Sequence, residues 1–162
     1  MLHRLAALPG LALSLALAAP AQAQHSFKAF TQWQGTAMPL DIVNGGPLDN
    51  LAHLAPEAEV TGQLWTMRED GPYLRFATAF RGQDMCLDVR NGGDLDRLVG
   101  LAPCGDYSGQ LWTAREEEGW YRLTSEFLGP EMCLDVANGG PMDGFAVMAP
   151  CGRFSGQLWD MN

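Results

Sequence analysis

The chain has 162 residues, with ten basic side chains against 19 acidic ones, a net charge of −9, and 47% hydrophobic against 18% charged residues. This length allows about one domain, and the acid excess argues against nucleic acid or anionic lipid, because displacing counterions from a polyanion needs clustered Lys and Arg. The composition is globular rather than disordered, and 19 Gly with 10 Pro point to a turn-rich all-β domain.

Residues 1–23 read as a secretory signal peptide: Arg4 supplies the early positive charge, residues 5–19 are an apolar run, and Ala21-Gln22-Ala23 is a small-x-small cleavage site. The run contains Pro9 and is shorter than the roughly 20 residues of a spanning helix, so no membrane insertion is expected. Cleavage near Ala23 would leave residues 24–162 as a single secreted or periplasmic domain.

From Met38 onward the sequence repeats. MPLDIVNGGPLDN from Met38 returns as MCLDVRNGGDLDR from Met85 and MCLDVANGGPMDG from Met132, and Trp65, Trp112 and Trp159 keep the same 47-residue spacing. In chain order, segments 65–68 and 73–78 flank an acidic turn at 69–72, and 112–115 with 120–124 flank another at 116–119, two hairpin signals. A strand over 132–136 stops at Asn138-Gly139-Gly140, and 145–149 and 157–159 complete the unit. Twelve short strands in three equal units predict closure into a pseudo-threefold barrel, because an open array this small would leave unprotected edges. Leu40, Leu87 and Leu134, with Leu64, Leu111 and Leu158, are the predicted shared core.

Cys86 and Cys104 lie 18 residues apart, as do Cys133 and Cys151. Four cysteines allow three connectivities, and the repeat-symmetric one pairs each within its own unit, as suits an oxidising compartment. The competing four-Cys zinc site lacks any CxxC, and no metal is assigned. Unit one has Pro39 and Glu57 at the cysteine positions and is expected to be the softest third.

Three GQLW sequences ending at Trp65, Trp112 and Trp159, with CLD at 86–88 and 133–135, resemble the triple QxW signature of the ricin B-type lectin family. The resemblance implies a β-trefoil in which Gln63, Gln110 and Gln157, with Trp65, Trp112 and Trp159, are scaffold. It also implies a shallow sugar pocket in each unit, built from an Asp, an aromatic, a polar residue and an Asn. Asp41, Asp88 and Asp135 match the first element. The aromatic position holds Ala55, Ala102 and Ala149, the polar position His53, Gly100 and Val147, and the Asn position Gly62, Gly109 and Gly156.

The three Asp could contact a ligand, since a carboxylate accepts sugar hydroxyls, or anchor the following Asn-Gly-Gly turn as Asx motifs do. Asp49, Asp96 and Asp143 recur on the same loop as further sugar-binding candidates, and a calcium site with Asn44, Asn91 or Asn138 is a weaker alternative because the spacing matches no known calcium loop. Tyr107 and Phe154, where unit one has Val60, could replace the stacking platform or pack within their loops; Tyr73, Trp120 and Tyr121 could form an aromatic patch or pack within strands. Beyond residue 23 the only histidines are His25 and His53, and no nucleophile elbow or phosphate loop appears, so no enzyme and no cofactor is expected. Two readings stand: a non-catalytic module binding glycan or polysaccharide, or a protein-interaction or toxin-accessory trefoil that has lost sugar binding and meets an envelope or host protein.

Overall fold

The computed structural model describes residues 25–161; the signal-peptide reading of residues 1–23 lies outside them. The strands are β1 (Ser26–Phe27), β2 (Phe30–Thr31), β3 (Leu40–Ile42), β4 (Ala52–Leu54), β5 (Trp65–Asp70), β6 (Tyr73–Thr78), β7 (Met85–Val89), β8 (Val99–Pro103), β9 (Trp112–Glu117), β10 (Trp120–Ser125), β11 (Met132–Val136), β12 (Ala146–Pro150) and β13 (Trp159–Asp160). The described residues therefore hold thirteen strand segments where the repeat predicts twelve. The first strand is split at Lys28-Ala29, and the Ala29 carbonyl accepts the Leu40 N–H at 2.8 Å.

Two six-residue hairpins, β5–β6 and β9–β10, supply four barrel strands. The remaining two sides are β13 and the split first strand, β1 and β2. Phe27 pairs with Trp65, Leu74 with Trp112 and Tyr121 with Trp159, three equivalent junctions between successive hairpins. Trp159 pairs with Thr31, as Trp65 does with Thr78 and Trp112 with Ser125, so β13 against β2 is the third hairpin without its turn. This pairing joins the last strand to the first and closes the barrel.

The hairpins β3–β4, β7–β8 and β11–β12 cover one end of it. Around the axis they bridge at Leu51 to Gly100, Leu98 to Val147 and His53 to Phe145. Leu101 N donates to Asn50 O at 2.8 Å, Met148 N to Arg97 O at 2.9 Å and Leu54 N to Gly144 O at 2.8 Å, so three backbone bonds sew the cap together. The architecture is a β-trefoil.

The three QxW indoles are at most 1% exposed. Each Nε1 donates to the carbonyl of the buried leucine one strand away: Trp65 to Leu40 at 2.8 Å, Trp112 to Leu87 at 2.9 Å and Trp159 to Leu134 at 3.0 Å. Burying the ring while satisfying its one donor makes these the anchors of the core, and truncating one to Ala would cost about 3 to 5 kcal/mol. Leu64, Leu111 and Leu158 are not in that core but half-buried. Strand alternation sends each to the opposite side from the tryptophan next to it in sequence. Disulfides join Cys86 to Cys104 and Cys133 to Cys151, each with Cα atoms 5.0 Å apart. In unit one Glu57 N donates to Ala37 O at 2.9 Å, the same backbone bond that Cys104 N makes to Asp84 O and Cys151 N to Glu131 O.

Candidate functional site

Three of the shallow clefts among the described residues, one in each unit, are built from equivalent positions. The first has Asp41, Asn44, Val60 and Gly62, the second Asp88, Asn91, Tyr107 and Gly109, and the third Asp135, Asn138, Phe154 and Gly156. Their volumes are about 490, 480 and 290 Å³.

In each cleft the carboxylate is held by the glutamine of QxW. Gln63 Nε2 donates to Asp41 Oδ2 at 3.0 Å, Gln110 Nε2 to Asp88 Oδ2 at 3.0 Å and Gln157 Nε2 to Asp135 Oδ2 at 2.9 Å. The second proton of each amide goes to the carbonyl of Pro56, Pro103 or Pro150. The Oε1 atoms accept from the backbone N–H of Ala58, Gly105 and Gly152 at 2.9 to 3.0 Å. In units two and three the last lone pair is also used, because Arg75 Nη1 donates to Gln110 at 3.0 Å and Arg122 Nη1 to Gln157 at 3.1 Å. Those two buried amides thus make all four of their bonds. Unit one has Lys28 in that place; its ammonium turns instead to Glu57 and to the Ala58 carbonyl at 3.0 Å. Arg122 is held in turn by Glu117, and this contact keeps the Glu117 carboxyl below the usual carboxylate range.

The other oxygen, Oδ1, accepts the next residue's N–H in two units, Ile42 and Val136, both at 2.7 Å. It also lies over a glycine. A Cβ added to Gly62, Gly109 or Gly156 would come within 2.2 to 2.6 Å of it, so a side chain there would displace the carboxylate. The Asn that the resemblance implies at this position would therefore require the Asp carboxylate to move. Both oxygens keep lone pairs, and the three carboxylates are half-buried at the clefts.

The turn-anchoring role considered for Asp41, Asp88 and Asp135 falls to the second set. Asp49, Asp96 and Asp143 accept the backbone N–H of Gly45, Gly92 and Gly139 at 2.5 to 2.6 Å, and none of them lines a cleft. Asp49 also pairs with Arg81 at 2.7 Å. Ala55, Ala102 and Ala149 stand outside the clefts too, and so does His53, whose ring stacks on Phe145 at 5.5 Å between centroids. Tyr73, Trp120 and Tyr121 are half-buried on barrel strands and line none of the three.

Aromatic walls come from elsewhere. Tyr107 and Phe154 are 61% and 59% exposed, and each ring folds back over the glycine two residues before it. A Cβ on Gly105 or Gly152 would meet the ring at 2.6 or 2.4 Å, whereas unit one pairs Ala58 with the ringless Val60. A second wall, which motif reading alone misses, is Phe80 in the first cleft, Phe127 in the second and Trp33 in the third. These three lie 47 residues apart, so the signal was the repeat itself, carried outside the QxW segments. Trp33 reaches the third cleft across the barrel closure, its backbone N–H donating to Ser155 O at 3.2 Å. Each cleft thus joins a fixed carboxylate, an exposed Asn and at least one aromatic ring. That combination accepts hydroxyl donors along one edge of a ligand and covers an apolar ring face.

Residues 76–162 match the model of the ricin-type β-trefoil lectin domain. No curated protein matches the chain. Among solved structures, the designed threefold-symmetric protein ThreeFoil is 22% identical with a TM-score of 0.68, over 83% of this chain and 95% of that one. The hemolytic lectin CEL-III is 20% identical with a TM-score of 0.64, over 85% of this chain and 30% of that one. An exo-β-1,3-galactanase from Clostridium thermocellum is 20% identical with a TM-score of 0.65, over 88% of this chain and 30% of that one. The chain thus spans under a third of the last two, and at these identities the likeness concerns the fold alone.

Proposed function

The chain belongs to the ricin-type β-trefoil lectin family, and from that premise we propose that it is an exported, non-catalytic carbohydrate-binding module whose clefts each seat one sugar ring of a glycan or polysaccharide. One observation carries this reading: the same cleft, with a carboxylate clamped by a buried glutamine and facing an aromatic wall, is built three times. Sites this open bind weakly one at a time, and repetition on one body converts weak sites into avidity. Repetition has no comparable use for a catalytic centre. The two disulfides are compatible with an extracellular or periplasmic location, which accords with cleavage near Ala23. A second reading, a trefoil that meets a protein partner instead, is favoured by Ala55, Ala102 and Ala149 at the family's stacking positions.

A broad glycan array, followed by a column of the best polysaccharide, decides between them. The wild-type protein is expected to be retained, and Tyr107→Ala with Phe154→Ala to lose at least tenfold in affinity with an unchanged melting temperature, because both rings are exposed. A protein that ignores the array yet captures one envelope or host protein would establish the second reading.

A further inference from the structure

We propose that the third cleft selects a sugar bearing a carboxylate, of the hexuronic acid class, whereas the first two exclude it. The inference rests on the carbohydrate reading and deepens it. The three clefts share their Asp, their Asn and their glycine, yet they differ in sign at one equivalent position: Glu59 in the first, Asp106 in the second and Arg153 in the third. Arg153 is exposed and enters no salt bridge among the described residues. Glu117 feels its charge, but that carboxylate is already engaged by Arg122 and, at 3.6 Å, by Arg115. The guanidinium therefore keeps its planar fork of donors for a ligand, and a carboxylate is the group that fork fits in bidentate fashion.

Asp135 does not spoil the site for an anion. Its two oxygens already accept N–H groups from Val136 and Gln157, which compensates part of its charge and leaves it to receive ring hydroxyls. Phe154 and Trp33 offer faces for the ring between these two ends. In the first two clefts the same ligand would bring its carboxylate against Glu59 or Asp106. Arg90 also lines the second cleft, but it is half-buried, with Nε enclosed and Nη2 bonded to the Leu101 carbonyl at 3.1 Å, so the exposed charge at the position equivalent to Arg153 is the carboxylate of Asp106. The overall acidity of the chain acts only weakly at this contact, since exposed charges beyond about 8 Å are screened at physiological salt.

The test is titration calorimetry of the exported protein with trigalacturonate and with neutral galactotriose as probes. One trigalacturonate is expected per chain, with an affinity that falls as salt is raised. In Arg153→Glu the ratio of the two affinities, acidic over neutral, should fall at least tenfold, and Arg153→Lys should keep part of it. Glu59→Arg should raise the acidic stoichiometry from one to two. A ratio unmoved by Arg153→Glu, or wild-type protein that takes only the neutral trimer, overturns the proposal and leaves the carbohydrate reading standing. Silence toward both probes and toward the whole glycan array removes the two together.

Discussion

His53 stands where the other units have Gly100 and Val147, so only in unit one does a titratable ring sit in the cap, half-buried and stacked on Phe145. Burial pushes its pKa below the usual 6.5, against the opposing pull of the Asp41 charge and a backbone hydrogen bond with Leu54. The unfolded chain therefore takes up a proton at a higher pH than the folded one. As pH drops from above 6.5 through the folded value, this difference destabilises the fold; above 6.5 both states are neutral and it has no effect. Replacing the ring by the valine of unit three, His53→Val, should remove that part of the acid sensitivity. Between about pH 7.5 and 5.5 the wild type is expected to lose more melting temperature than the variant, and equal losses in the two would refute the assignment.

The hairpins explain both what the sequence discloses and what it hides. Strands 73–78 and 132–136 are read at their observed bounds, because alternation and the Asn-Gly-Gly stop are local signals. Strands β5 and β9 run two residues beyond the sequence reading, to Asp70 and Glu117, because cross-strand pairing extends past the apolar residues to the turn itself. Gln157, read as strand, ends a single 3₁₀ turn (Ser155–Gln157), a geometry that points its amide inward to Asp135. The bond from glutamine to aspartate joins residues 22 apart through the fold and has no local signature, which is why the sequence left Asp41, Asp88 and Asp135 open between ligand contact and turn anchoring. The disulfide hairpins also invite measurement. Each loop closure stabilises by about 3 kcal/mol in the chain-entropy model, but unit one forms the same backbone bond between Glu57 and Ala37 without a bridge. Reduction is expected to lower the melting temperature while leaving one cooperative transition. Loss of all folded signal on reduction would show that the bridges, rather than the indole core, hold the trefoil.

Over the molecule as a whole the threefold pattern has one weak side. Hairpins β5–β6 and β9–β10 each pair six residues and are tied by a turn, whereas β13 and β2 pair through Trp159 with Thr31 and Asp160 with Phe30 alone. Backbone bonds from Gln32 to Leu158 at 2.8 Å and from Trp33 to Ser155 at 3.2 Å extend that join. A pairing without covalent continuity opens more readily than a hairpin, so amide hydrogen exchange should be faster at Thr31, Gln32 and Trp159 than at Thr78, Ala79 and Trp65, which hold the equivalent positions. Uniform protection at the two sets would show that the join is as strong as a hairpin.

The third cleft is assembled across this join, with Trp33 from the start of the chain on one side and Asp135 and Phe154 from its end on the other. The barrel is in effect a bracelet whose clasp doubles as a binding site. An occupant of that cleft touches both halves of the clasp and holds it shut, so its binding energy also resists the opening of the ring, whereas an occupant of the first cleft spans units that the peptide chain already ties together.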